Sequence, residues 1–217
     1  MLLYLVRHGE TDWNLARRIQ GRTDIPLNDT GRGQAAATGA LLARRSWDAV
    51  VTSPLSRALE TGQIIAAELG MPEPTTDVAL VERNYGEAEG MDYLTLSETF
   101  PEGAEVPGRE SHDEVAARAL PALLQIARAH PGQAVVVVAH GGVIRSVLGA
   151  VDPTGKHGMI TNGSIHSLRY EDGDLSLIAF NDPIEVESLD VATDDLDVQN
   201  ELEHREDTST RPVTHAR

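Results

Sequence analysis

Histidine and arginine residues follow three apolar segments of the chain, at the point where each segment ends. The segments and the residues after them are 2–6 followed by Arg7-His8-Gly9, 48–52 followed by Ser53-Pro54-Leu55-Ser56-Arg57, and 134–139 followed by His140-Gly141-Gly142. Arginine guanidinium groups match the oxygens of phosphate with paired hydrogen bonds, and glycines let a ligand approach the backbone closely. Brought together, these residue types favour binding of a small, multiply charged anion, for which phosphate is the natural candidate.

The elements that would bring these residues together are strands of a parallel sheet. We predict that all three apolar segments are strands buried on both faces. The last is rich in valine and shows no alternation, which is typical of the centre of a parallel sheet. Helical patterns occur at residues 30–45, 54–69, 111–129 and 143–150, and residues 164–170 and 175–180 indicate a final hairpin. Alternating strands and helices predict an α/β fold, a three-layer αβα sandwich with a mostly parallel mixed sheet.

Two of these helices carry signals for where they begin. Ser53-Pro54 predicts an N-cap followed by proline at the first helical position. Ser111 with Glu114 three residues later predicts a capping box.

The carboxyl ends of parallel strands lie at one edge of a sheet, where such folds place their ligands. We therefore expect Arg7, His8, Arg57 and His140 to converge at this edge. The helices after Ser53 and Gly141 would point their N-termini there as well, which adds unpaired N–H groups and the positive ends of helix dipoles. The two glycine-rich fingerprints of nucleotide-binding folds are absent from the sequence, so nucleotide folds of those types are unsupported.

Composition limits the function further. The chain has 217 residues, of which 41% are hydrophobic and 24% charged, as is typical of soluble globular proteins. It contains no cysteine, which excludes thiolate metal sites and cysteine nucleophiles and fits a cytoplasmic location. The net charge of -16 argues against nucleic acid or an anionic membrane as partner. The expected partner is a small phosphorylated metabolite, and the oligomeric state stays open.

We predict a single catalytic domain at residues 1–182. Within it, residues 83–110 are rich in Gly, Glu and Pro, with a short helix near residues 92–100, and form an excursion that covers one end of the sheet. Residues 183–217 contain ten acidic residues against three arginines, which predicts a weakly packed acidic C-terminal tail.

Several motifs together resemble the histidine phosphatase superfamily, the phosphoglycerate mutase-like proteins. The matching residues occur in the family's order over about residues 2–180, and the acidic tail lies outside them. They are Arg7-His8-Gly9-Glu10-Thr11, Asn14, Gln20-Gly21, Asp24, Leu27, Gly31, Ser53-Pro54-Leu55-x-Arg57-Ala58-x-x-Thr61, Glu82-x-x-x-Gly86-x-x-x-Gly90 and His140-Gly141-Gly142.

The resemblance implies roles for these residues in a metal-independent reaction. His8 would attack phosphorus and become phosphorylated, and Arg7 would help to keep its imidazole uncharged. Glu82 would donate a proton to the leaving oxygen and then activate water, with Glu87 and Glu89 as rivals for this role. Further side chains and backbone groups would bind the phosphorylated substrate; these are Arg7, Asn14, Gln20, Gly21, Arg57, His140, Gly141 and Asn162.

The resemblance leaves the phosphoryl acceptor open between water and a second hydroxyl of the substrate. Glu82-Arg83-Asn84-Tyr85-Gly86 is similar to a stretch of cofactor-dependent phosphoglycerate mutases in which the Arg and Tyr bind substrate, so Arg83 and Tyr85 are further candidates. The segment from Gly90 to Glu110 contains one basic residue, Arg109, whereas true mutases carry a longer and more basic insertion there. We therefore favour a phosphate monoester hydrolase without a cofactor. The cofactor 2,3-bisphosphoglycerate is expected only under the mutase reading.

Two other classes are weaker. A metal-dependent hydrolase with His8, Glu82 and His140 as ligands is opposed by the two arginines in the same pocket. A non-catalytic phospho-ligand binding protein would be expected to lack the nucleophile or the proton donor, and both are present.

Overall fold

The protein is described by a computed structural model that covers residues 1–184, so the predicted acidic tail lies outside the described residues from residue 185 onward. The strands are β1 (Leu2–Arg7), β2 (Ala49–Thr52), β3 (Thr75–Thr76), β4 (Ala134–Ala139), β5 (Ile165–Glu171) and β6 (Asp174–Ala179). The α-helices are α1 (Asp12–Leu15), α2 (Asp29–Leu42), α3 (Ser56–Glu68), α4 (Tyr93–Thr99), α5 (His112–Ala129) and α6 (Gly141–Val151).

The strands form one mixed sheet in the order β3-β2-β4-β1-β5-β6. The first four strands in this order are parallel, whereas β5 and β6 run antiparallel as the predicted hairpin. The central strand β4 is the valine-rich segment, and its residues from Val135 to Val138 are completely buried. The observed sheet confirms the predicted fold class.

Helices cover both faces of this sheet. On β1, Leu3 and Leu5 face a core shared with α5 and α6, while Tyr4 and Val6 face a core shared with α2 and α3. Successive strand residues point to opposite faces of the sheet. An apolar strand without alternation therefore contributes side chains to both cores. The result is the predicted three-layer arrangement.

The sequence predicted the start of α5 correctly and the start of α3 wrongly. The capping box of Ser111 and Glu114 is present at α5 as predicted. The predicted start of α3 is wrong, because the helix begins at Ser56 with Leu55 as its N-cap. The Ser53 hydroxyl oxygen instead accepts from the Leu55 amide at 3.3 Å and lies 2.7 Å from a ring nitrogen of His140. Pro54 and Leu55 lie outside the helix.

Residues 84–110 form a small cluster of their own around Tyr85, Ala88, Leu96 and Val106, packed against Ile19. Isolated bridges join Tyr85 to Arg109 and Arg18 to Asp92, so the segment is tied to itself and to the chain after α1. This segment therefore lies beside the residues that follow the first strand.

Candidate active site

His8 lies directly after β1 and is 2% exposed. Its Nδ1 lies 2.7 Å from the carbonyl oxygen of Gly9, which can only accept, so we assign the ring proton to Nδ1 and the lone pair to Nε2. The pKa of His8 is well below its usual value, first because of burial and then because of the charges of Arg57 and Arg7. The imidazole is therefore uncharged at neutral pH, with a nucleophilic nitrogen at Nε2.

Arg57 belongs to the first turn of α3 and is completely buried. Its Nε donates to His8 Nε2 at 3.3 Å, while Nη1 and Nη2 donate to the carbonyl oxygens of Thr23 at 2.9 Å and Gly21 at 2.8 Å. Burial lowers the pKa of Arg57 to about 10, against the opposing effects of Glu82 and Asp24. The guanidinium thus stays charged and is held against the nucleophilic nitrogen.

His140 is the N-cap residue of α6 and is completely buried. Its ring centroid lies 5.1 Å from that of His8, and its Nε2 lies 2.7 Å from the Ser53 hydroxyl. The His140 Nδ1 atom has no hydrogen-bond partner among the described residues. Burial, followed by the charge of Arg57, holds the pKa of His140 well below its usual value. The site therefore contains two uncharged imidazoles.

Hydrogen bonds of Arg7 and Asn162 join the end of β1 to the segment before β5. Arg7 is 1% exposed, and its Nη1 donates to the Ile160 carbonyl at 2.7 Å. Asn162 donates from Nδ2 to the His8 carbonyl at 2.9 Å and lies 3.4 Å from the Asn14 side-chain oxygen. Two hydrogen bonds thus connect the segment before β5 to Arg7 and His8.

Glu82 is 1% exposed and not a surface carboxylate. Its Oε2 accepts from the Gly142 amide at 3.2 Å, and its Oε1 accepts from the amides of Val143 at 3.2 Å and Arg83 at 2.7 Å. The carboxylate therefore sits at the N-terminus of α6, beside Gly141 and His140. Its negative charge acts on Arg57, so the predicted proton donor belongs to the same cluster.

Contacts with Thr11 connect Asn14 and Gln20 to the site, and a hydrogen bond with Arg57 connects Gly21. The Thr11 hydroxyl oxygen lies 3.1 Å from the side-chain oxygen of Asn14 and 2.9 Å from that of Gln20. Gly21 has a φ of 54°, and its carbonyl is one of the two that hold Arg57. These residues lie in the segment of the chain that follows the first strand.

Arg83 and Tyr85 are engaged mainly by the protein itself. Arg83 donates from Nε to the Glu110 carbonyl at 2.7 Å and from Nη1 to His112 Nε2 at 3.1 Å. Its guanidinium carbon lies 5.2 Å from the centre of the Tyr85 ring, which is 1% exposed. Substrate binding by these two residues stays a prediction.

Sequence reasoning missed several residues that support the site. Ser53 contacts His140, Thr61 accepts from the Gly9 amide at 3.1 Å, and Arg118 donates to the Glu82 carbonyl at 3.0 Å. Ser53 and Thr61 belong to a recognised motif, which was a usable signal. Arg118 lies on α5 and has no local signal, since its partner is distant in sequence.

The geometry brings together two guanidinium groups and two uncharged imidazoles at the carboxyl edge of a parallel sheet, with a carboxylate at the border, and this arrangement could bind an anion. The model of the histidine phosphatase superfamily (branch 1) matches residues 3–183. The chain therefore belongs to this superfamily.

Curated relatives include an uncharacterized phosphatase PhoE of Bacillus subtilis, 40% identical over 76% of this chain and 86% of that protein. A metal-independent phosphoserine phosphatase of Arabidopsis thaliana is 37% identical over 78% of this chain and 76% of that protein. A solved mycobacterial glucosyl-3-phosphoglycerate phosphatase in complex with VO3 is similar with a TM-score of 0.76 and 28% identity, over 83% of this chain and 98% of that one. Other relatives are 2,3-bisphosphoglycerate-dependent phosphoglycerate mutases.

Two further findings concern the described residues. None of their helices combines the length and apolar character needed to cross a membrane. Within residues 1–184 there is also no group of three or more His, Asp or Glu side chains arranged to hold a metal ion.

Proposed function

We propose that the protein hydrolyses small phosphate monoesters in two steps, with a phosphoryl group carried transiently on His8. The observation that supports this most directly is the buried, uncharged His8, whose Nε2 lone pair faces the Arg57 guanidinium at 3.3 Å. An uncharged imidazole is nucleophilic, and the adjacent cation attracts the phosphoryl oxygens to it.

In the first step the phosphoryl group of the substrate takes the place of the contact between Arg57 and His8. Arg57, Arg7 and the His140 Nδ1 atom bind its oxygens, and His8 Nε2 attacks phosphorus from the side opposite the ester oxygen. The new N–P bond forms as the P–O ester bond breaks. The N–H group at His8 Nδ1 keeps its hydrogen bond to the Gly9 carbonyl, and this bond stabilises the positive charge of the phosphorylated ring.

Glu82 handles the proton in both steps of this proposal. The Glu82 carboxylate first takes up a proton from the phosphate monoester monoanion and passes it to the departing ester oxygen. The carboxylate then accepts a proton from water as that water attacks phosphohistidine, and this proton leaves with inorganic phosphate. The N–P bond breaks, inorganic phosphate leaves, and the protein returns to its starting state. The three backbone amides around Glu82 hold the carboxylate in one position for both tasks.

Water is the favoured acceptor because of the segment that covers the site. Residues 90–110 contain one basic residue, Arg109, which offers little charge to retain a phosphoglycerate while it reorients. Several relatives are phosphatases, and the substrate's alcohol part stays open. Incubation with 3-phosphoglycerate and catalytic 2,3-bisphosphoglycerate should yield phosphate and little 2-phosphoglycerate. Rapid formation of 2-phosphoglycerate would instead establish the mutase.

The experiment that tests the proposal is a phosphatase screen over p-nitrophenyl phosphate, phosphoserine, 3-phosphoglycerate and sugar phosphates. We expect His8→Ala to lower turnover by about a thousandfold or more, since it removes the nucleophile. His130→Ala is the matched control, because His130 ends α5 before the amino end of β4, at the opposite edge of the sheet. Wild-type turnover in His8→Ala would refute the proposal.

A further inference from the structure

We propose that Glu89 is a positioning residue that holds the turn of residues 20–23 against Arg57 and thereby sets the affinity of the site for a phosphoryl group. This inference rests on the proposed function only in taking Arg57 as a ligand of that group. Sequence reasoning left Glu89 as a rival of Glu82 for the proton donor, and the contacts of Glu89 separate the two roles.

The Glu89 carboxylate accepts four hydrogen bonds from two segments of the chain. Oε1 accepts from the amides of Arg22 at 2.9 Å and Tyr85 at 3.2 Å. Oε2 accepts from the amide of Thr23 at 3.0 Å and from its hydroxyl at 2.7 Å. A carboxylate accepts about four hydrogen bonds, so Glu89 is satisfied by the turn and by the Tyr85 segment.

Two carbonyl groups of the same turn accept hydrogen bonds from Arg57. Gly21 and Thr23 provide the two oxygens that accept from Nη2 and Nη1 of Arg57. The turn thus has amides directed at Glu89 and carbonyls directed at Arg57, which makes it a rigid link between the two side chains. The Glu89 carboxylate also lies close beneath the turn, since a Cβ on Gly21 would come within 2.1 Å of Glu89 Oε1.

The charge of Glu89 also favours the proposed link between Glu89 and Arg57. The negative charge of Glu89 raises the pKa of Arg57, as do Glu82 and Asp24, and so opposes the larger effect of burial. Glu89 therefore favours both the location and the charged state of the guanidinium. Glu82, by contrast, takes its hydrogen bonds from the N-terminus of α6 and from its neighbour Arg83.

A double-mutant cycle tests this link, with the affinity for inorganic phosphate measured by phosphorus NMR titration. Glu89→Gln places an amide N–H₂ against N–H donors, and we expect it to weaken phosphate binding about tenfold. Glu87→Gln is the matched control, because Glu87 is two residues away and exposed; it should change the affinity less than about twofold. In an Arg57→Ala background, Glu89→Gln should have almost no further effect, because coupled residues are non-additive.

Two results would overturn the inference: wild-type phosphate affinity in Glu89→Gln, or an equal weakening by Glu89→Gln with and without Arg57. Circular dichroism checks the fold of each variant. If Glu89→Gln does not fold, Thr23→Val takes its place in the cycle, since it removes only the hydroxyl that donates to Glu89; it should weaken phosphate binding about threefold, and only when Arg57 is present. Phosphate binding is measured without turnover, so a chain that binds phosphate but does not hydrolyse esters would refute the proposed function and leave this inference standing.

Discussion

Replacement of Arg57 by lysine retains a positive charge but removes the geometry that the structure shows. Arg57 donates to three acceptors that lie in different directions, namely His8 Nε2 and the carbonyls of Gly21 and Thr23. A lysine ammonium is a compact charge on a flexible stem and cannot reproduce the planar fork. We therefore expect Arg57→Lys to lose at least two of these three hydrogen bonds.

The magnitude follows from the burial of this residue. A buried acceptor that loses its partner costs about 1–3 kcal/mol, so the loss of two should lower the free energy of unfolding by about 2–6 kcal/mol. For a chain of this size that corresponds to a Tm lower by on the order of 10 °C. Loss of a preorganised donor to the transition state typically costs about 100-fold to 1000-fold in kcat. We expect kcat/KM to fall within that range.

The assay is hydrolysis of p-nitrophenyl phosphate at 25 °C, combined with thermal unfolding of the same samples. Arg32→Lys is the control, because Arg32 pairs with Asp29 and Glu60 at the surface; its activity should stay within about twofold of the wild type. A folded Arg57→Lys protein with more than about a third of the wild-type kcat/KM would refute the role given to the guanidinium.

Three further predictions concern pH, backbone packing and the second histidine. Burial lowers the pKa of His166 to about 3, so between pH 6.5 and 4 the unfolded state gains a proton there that the folded state does not. Stability should therefore fall with falling pH, and in denaturant titrations at pH 6 and pH 5 His166→Asn should reduce that slope by about 1.2 kcal/mol per pH unit; an unchanged slope would contradict this. Gly31→Ala would place its Cβ 2.1 Å from the backbone oxygen of Glu10, two residues after His8, and should lower both Tm and turnover. Gly33→Ala in the same helix meets nothing within 4 Å and should raise stability by about 0.5–1 kcal/mol, so equal effects of the two would refute the packing argument. Ser53→Ala removes the hydroxyl that fixes His140 and should lower kcat about tenfold with little change in Tm, whereas unchanged kcat would deny that role.

The sheet and the edge that carries the candidate site could be predicted from sequence because their signals are local. Valine-rich runs predict buried parallel strands, and the shared direction of those strands predicts that His8, Arg57 and His140 meet. The helix α1 and the strand β3 were not predicted, since four and two residues are too short for a periodic pattern. The start of α3 was missed because Ser53 contacts His140 across the site instead of capping the helix.

The parts of the site that sequence reasoning could not resolve depend on contacts between distant segments. Glu82, Glu87 and Glu89 look alike in sequence, and only the fold shows which donors each one meets. The uncharged state of His8 was predicted, with Arg7 helping to maintain it. The structure gives burial as the larger cause and places Arg57 before Arg7. Sequence reasoning could not rank these causes, because burial depends on the whole fold and Arg57 belongs to helix α3, which is distant from His8 in the chain.

The most direct test of the central claim is to trap the phosphorylated protein. The chain is mixed rapidly with a phosphate monoester, quenched in alkali, which preserves phosphohistidine, and digested for mass spectrometry. We predict one phosphoryl group per chain, on His8, formed at least as fast as turnover and absent from His8→Ala. Sustained turnover with no phosphoryl group on His8, or with the group on another residue, would contradict the proposed mechanism.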